Sequence, residues 1–126
     1  MKTGVDLFSE IYGEDMAQGL VSQVDSNVPF HGKQARWTVE WVFGEIWPRD
    51  ALSRKMRSCA VLGMLIAQGA SEEIRYHTKM GIANGLTRTE IEEIFYTTIP
   101  YCGFPAANTA KQAMLAAFAE LDAQEG

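Results

Sequence analysis

The sequence predicts an all-α protein, a single-domain helical bundle of about six helices spanning residues 1–126. Two observations predict it. No segment alternates apolar and polar residues as a half-buried strand does, whereas apolar residues recur at helical spacing along most of the chain. Three consecutive segments in the second half also carry both a start and a stop signal for a helix.

Residues 5 to 24 place Leu7, Ile11, Leu20 and Val24 on one stripe, interrupted by Gly13 and Gly19. Residues 25 to 33 (DSNVPFHGK) read as a loop, and the next helix covers 34 to 46 with Trp37, Trp41 and Ile46 inward. Ser53 is placed to cap a helix whose apolar face runs Met56, Cys59, Ala60, Gly63, Ile66 and Ala67, with Gly69 at its C-terminal end. Ser71 is placed to cap the following helix, with Glu72 and Glu73 in its positive first turn and Gly85 after its end. Thr87 and Glu90 have capping-box spacing before Ile91, Ile94, Phe95 and Thr98, and Pro100 should end or kink that helix. Pro105 suits the first turn of a last, alanine-rich helix from 106 to about 123.

Composition narrows the function classes. Hydrophobic residues make up 47% of the chain, too many for a disordered protein, and no apolar run reaches the roughly 18 residues a membrane span needs. The opening MKTGVDLFSEIYGED sets acids where a signal peptide needs an apolar stretch, which points to the cytoplasm. A net charge of −5 repels nucleic acid. The densest basic stretch, Arg49 to Arg57, has room for one small anion or is a solvated helix entry.

There is no glycine-rich phosphate loop, no nucleophile-elbow serine, no CxxC and no HExxH. Two histidines and two scattered cysteines are a poor zinc-ligand set, so no metal is expected, and Cys59 and Cys102 read as buried, inert thiols. What remains is polar residues within apolar helices. His77 follows Glu73 by one turn, so the two share a face. On pattern alone this is a surface pair worth a few tenths of a kcal/mol, or a carboxylate that orients an imidazole and raises its pKa. His31, beside Gly32, reads as an ordinary exposed histidine. The stretch FGEIWPRDALSRKMRS combines Glu45, Trp47, Arg49, Arg54 and Arg57, which suits a planar dicarboxylate or a salt-bridged helix entry. Trp37, Trp41, Phe43 and Trp47 crowd one short region, a reason to expect some of them at subunit contacts.

Three segments together resemble the carboxymuconolactone decarboxylase family. They are FGEIWPRDALSRKMRS (43–58), EEIRYHTKMGIANGLTRTEIEEIF (72–95) and IPYCGFPAANTA (99–110), and the match spans about residues 43 to 118. They are similar, in order, to the family's G-acid-x-W-x-R entry, its acid-x-x-x-His helix with the N-G-[VL]-T-x-x-E turn, and its Y-x-G-[FL]-P-A-A-x-x-A segment. The resemblance implies an alkylhydroperoxidase D-like fold assembled into a ring, a homo-trimer or a homo-hexamer of two trimers. In the family's peroxidase branch a CxxC precedes the histidine; here Ala70 and Glu73 hold those positions, so thiol peroxidase chemistry is not expected.

The activity implied is decarboxylation of a carboxylated unsaturated lactone of the 4-carboxymuconolactone type, in the protocatechuate branch of aromatic catabolism, without a cofactor. Loss of CO₂ there leaves an extended dienolate, so the protein needs only to hold the anion, stabilise charge on the lactone oxygen and deliver a proton. By resemblance His77 donates that proton with Glu73 or Glu45 setting its charge, Arg49 and Arg57 hold the carboxylate, and Trp47 and Tyr101 line the pocket. Two other readings compete: a cofactor-free isomerase of a conjugated lactone or ketone, and a non-catalytic oligomer.

Overall fold

The computed structural model describes residues 1 to 125. Among these are seven α-helices and one π-helical segment, with no strand. No helix among them is long and apolar enough to cross a membrane. The chain forms two compact units, Met1–Ser53 and Arg54–Gly126.

In the first unit, α1 (Lys2–Tyr12) and α2 (Glu14–Val24) replace the single helix expected over 5 to 24. Gly13, at φ 96°, lies in the left-handed region that a side chain disfavours, and it breaks the helix there. The chain then runs through a short loop into α3 (His31–Trp37), which continues without interruption as a π-helical segment, Thr38–Ile46. The N–H of Trp47 donates to the carbonyl of Val42 at 3.0 Å, the five-residue step of a π turn.

This change of pitch has a consequence for the faces. In an α-helix four residues overshoot a full turn by about 40°; in the wider π turn four residues undershoot it. A helix that passes from α to π therefore keeps every fourth residue on one line. Ala35, Val39, Phe43 and Trp47 form the buried line. Trp37 and Trp41, expected inward, are each 59% exposed, and Ile46 is also at the surface. Phe8 packs edge-on against Phe43 (5.1 Å, 87°), and Phe43 stacks on Trp47 (6.4 Å, 13°). The approach of α1 is closer still: a Cβ added at Gly4 would lie 1.9 Å from the Val39 carbonyl oxygen.

The second unit comprises α4 (Arg54–Gln68), α5 (Ser71–Ala83), α6 (Arg88–Cys102) and α7 (Phe104–Glu125). Its core joins Leu62, Ile66, Ile74, Leu86, Ile91, Ala110, Ala113 and Met114. The inward face of α4 is Ser58, Leu62 and Ile66; of the face expected from sequence only Ile66 is buried, while Met56 is 57% exposed and Ala60 and Ala67 are at the surface. Ala70, not Ser71, is the N-cap of α5, and no side chain caps it.

At its other end α5 closes as a Schellman motif, Leu86 N–H donating to Gly81 and Gly85 N–H to Ile82. Thr87 and Glu90 form the capping box expected of them: Glu90 N–H donates to Thr87 Oγ1 (3.0 Å), and Thr87 N–H to Glu90 Oε1 (2.9 Å). Pro100 does not end α6, which continues to Cys102 and stops at Gly103. Pro100 lies in the last turn on an exposed side, where water can serve the Tyr96 carbonyl it leaves unbonded. Glu120 on α7 clamps α5, accepting from Arg75 and Lys79 at 2.7 Å each.

Candidate active site

The rigid frame of the second unit presents His77 from the middle of α5. Its side chain is only 19% exposed. Glu73, one turn earlier, brings Oε2 to 3.8 Å from His77 Nε2, close enough for a charge interaction but too long for a hydrogen bond. The other ring nitrogen, Nδ1, is enclosed and meets no hydrogen-bond partner among the described residues. Burial pushes the His77 pKa below its ordinary 6.5, and the Glu73 carboxylate pulls the other way with less effect. The resting imidazole is thus neutral near pH 7, with an unmet nitrogen inside the fold.

A second enclosed polar group lies at the C-terminal end of the helix, where Asn84 is the C-cap of α5; a Cβ at nearby Gly81 would reach Leu62 of α4 at 3.7 Å and Ile91 of α6 at 3.8 Å. Asn84 donates from Nδ2 to Oγ of the fully buried Ser58 at 3.0 Å. Its Oδ1 is enclosed and unpartnered. Sequence reading missed both Ser58 and Asn84. The one available signal was a serine within an apolar helix, which is equally common as ordinary packing.

The other residues singled out from sequence lie as follows. Arg57 is half-buried on α4, next to Ser58. Tyr101 stands at the C-terminal end of α6, 87% exposed. Glu45, Trp47 and Arg49 belong to the first unit, where Trp47 is packed on Phe43 and Glu45 and Arg49 are exposed. Of the proposed catalytic residues, Glu73 and His77 are brought together within one unit. The first unit also holds a groove of about 760 Å³ lined by Val24, Val28, Phe30, Lys33, Arg36 and Trp37 among others, with neither an acid nor a histidine in its wall.

His77 makes stability depend on pH. Its folded pKa lies below the unfolded 6.5, so the folded protein binds less proton there than the unfolded chain. The resulting stability is fully present above pH 6.5 and is lost as pH falls from there through the depressed value. Glu120, held low by Lys79 and Arg75, adds a loss of the same sign only below 4.5. The urea midpoint should begin to fall just under pH 6.5, and His77→Gln should keep it flat until the carboxylates protonate. A wild-type midpoint that is flat from pH 6.5 to the carboxylate range contradicts this assignment.

Residues 33–116 match the model of the carboxymuconolactone decarboxylase family. Among curated proteins, the nitrosuccinic acid decarboxylase npaB of Metarhizium robertsii is 32% identical over 103 residues, covering 82% of this chain and 70% of that protein. The 4-carboxymuconolactone decarboxylase of Acinetobacter baylyi is 32% identical over 110 residues, covering 86% of this chain and 79% of the relative. An uncharacterized 15.0 kDa protein from the nqo9–nqo10 intergenic region of Paracoccus denitrificans is 30% identical over 86 residues, 67% of this chain and 64% of that one.

Proposed function

Because the chain belongs to the carboxymuconolactone decarboxylase family, we propose that it is a cofactor-independent carboxy-lyase acting on an unsaturated lactone carboxylate of the 4-carboxymuconolactone type. Two relatives named as decarboxylases support a decarboxylase-type activity. Their named substrates share one chemical feature. Each carries a carboxylate on a carbon whose electron pair, after CO₂ leaves, passes into a neighbouring acceptor: a lactone carbonyl through a C=C bond, or a nitro group. The substrate is its own electron sink, and a histidine, cationic carboxylate contacts and an apolar wall are enough.

The observation that carries the reading is the largely buried imidazole of His77, with Nε2 3.8 Å from the Glu73 carboxylate and the enclosed Nδ1 unpartnered. A neutral resting imidazole takes up a proton when a dianionic substrate enters, because the added negative charge raises its pKa. It then returns that proton to the carbanion. Within the second unit Glu73 sets the imidazole's charge and Arg57 is a carboxylate contact; Glu45, Arg49, Trp47 and Tyr101 keep the roles that the family resemblance implies for them. The assembly is a homo-trimer or a homo-hexamer.

The test is incubation of the purified protein with 4-carboxymuconolactone and, in parallel, with nitrosuccinate, following CO₂ release and ultraviolet absorbance. CO₂ from the lactone substrate supports the proposal; CO₂ from nitrosuccinate alone keeps the carboxy-lyase and replaces the substrate. Absorbance change without CO₂ points to an isomerase and overturns it.

The thiols should be dispensable. Ala70 and Glu73 stand where a CxxC would be, and Cys59 and Cys102 are half-buried and unpaired. The double variant Cys59→Ala, Cys102→Ala should keep turnover within a few-fold. A loss of about a hundredfold or more in a folded variant would reinstate a covalent mechanism.

A further inference from the structure

The groove of about 760 Å³ in the first unit is lined by none of the residues given a role in decarboxylation. Its volume falls within the roughly 300–1,000 Å³ of small-molecule sites. One wall is the loop over 26–29. The other is the side of α3 that carries Lys33, Arg36 and Trp37, which i, i+3, i+4 spacing sets together. Val24, buried with Ala35 and Val39, adds apolar surface. The loop is pinned at several points. Val28 N–H donates to Ser26 Oγ at 3.0 Å, His31 N–H donates to the Val28 carbonyl at 3.2 Å, and a side chain at Gly32 would run into the Ser26 carbonyl oxygen. Phe30, also in the wall, is 89% exposed at φ 75°, a strained value for a bulky residue that holds the ring out at a conformational cost.

We propose that this groove binds a small aromatic carboxylate. Charge selects an anion. The chain carries 16 acids against 11 lysines and arginines, yet this wall holds Lys33 and Arg36 and no acid. Arg36 gives Nη1 to Glu40 at 3.0 Å, and a guanidinium has further N–H donors to offer a carboxylate. Lys33 sets a second positive charge about one turn away. The exposed rings select the rest of the ligand. Phe30 and Trp37 offer aromatic surface that a flat, unsaturated body matches by stacking or edge contact, as a saturated chain does not. A polyanion is repelled by the net charge of −5, whereas one compact anion meets only the local cations. The inference concerns a second ligand site and does not rest on the decarboxylase reading.

Calorimetric titration with 2-naphthoate tests it, with the neutral 2-naphthamide and with acetate in parallel and circular dichroism as the check on folding. The wild type should bind 2-naphthoate saturably, one per chain, with a Kd of about 1 mM or tighter. The amide and acetate should each bind at least tenfold more weakly, since one lacks the charge and the other the ring. The double variant Lys33→Gln, Arg36→Gln should weaken 2-naphthoate about tenfold or more and leave the amide unchanged. Trp37→Leu should weaken both ring-bearing probes. His77→Gln should bind 2-naphthoate as the wild type does, which separates this groove from the decarboxylation site. Absence of saturable binding up to about 10 mM overturns the proposal. So do equal affinities for the acid and the amide, a folded Lys33→Gln, Arg36→Gln protein that binds 2-naphthoate as the wild type does, or loss of binding in His77→Gln.

Discussion

Replacing His77 with Gln should lower turnover by about 10² to 10⁴ while the fold and the assembly survive, the range that general acid–base catalysis contributes. The position favours a clean result. α5 starts with Glu72 and Glu73 in its first turn, ends in the Schellman closure at Gly85, and is clamped to α7 through Arg75, Lys79 and Glu120. The imidazole is therefore held in place by a rigid helix, and Gln occupies similar space while lacking the titrating proton. Thermal unfolding belongs beside the kinetics. A histidine that only fills space predicts the reverse pattern, near-normal turnover with a lower melting temperature. Full activity in a stable His77→Gln variant removes His77 from the mechanism and moves attention to Glu45.

The second large effect is structural. An Ala for Gly change inside a helix ordinarily stabilises by about 0.5–1 kcal/mol. At Gly4 the opposite is expected, because the added Cβ would lie 1.9 Å from the Val39 backbone oxygen, which no side-chain rotation relieves. α1 must move off the π-helical segment and loosen the Phe8–Phe43 contact, with a net loss of about 1–3 kcal/mol as for other overpacked sites. Gly19 on α2 is the internal control, since a Cβ there meets nothing within 4 Å. Gly19→Ala should raise the urea midpoint and Gly4→Ala should lower it. Equal signs for the two would show that α1 does not rest on the π-helical segment as described.

Much of this architecture is legible in the sequence, and the misses have physical causes. α6 was readable at its start because Thr87 and Glu90 satisfy each other's backbone neighbours, a local interaction that needs no tertiary context. Gly13 is a weak point by sequence and a break in the structure, since a glycine tolerated in a helix and one held at φ 96° look alike in sequence. In the helix over 31–46, two lines at the same spacing compete: Ala35, Val39, Phe43, Trp47 and Lys33, Trp37, Trp41, Glu45. Hydrophobicity favoured the tryptophans, but the line that is apolar from end to end is the buried one. The Glu73–His77 pair was visible because one helical turn brings the two side chains to one face. Ser58 and Asn84 meet across two helices, a contact that no local spacing encodes.

The central claim is that the protein releases CO₂ from its substrate and returns one proton to the carbanion through His77. Turnover of 4-carboxymuconolactone in D₂O, with CO₂ counted and the product examined by mass spectrometry and NMR, tests it directly. The account predicts one deuterium per CO₂, placed on a single face of the carbon next to the lactone carbonyl, and a rate lowered by about 10² or more in His77→Gln. Deuterium distributed equally over both faces, or CO₂ release at the wild-type rate in the His77→Gln protein, would contradict it.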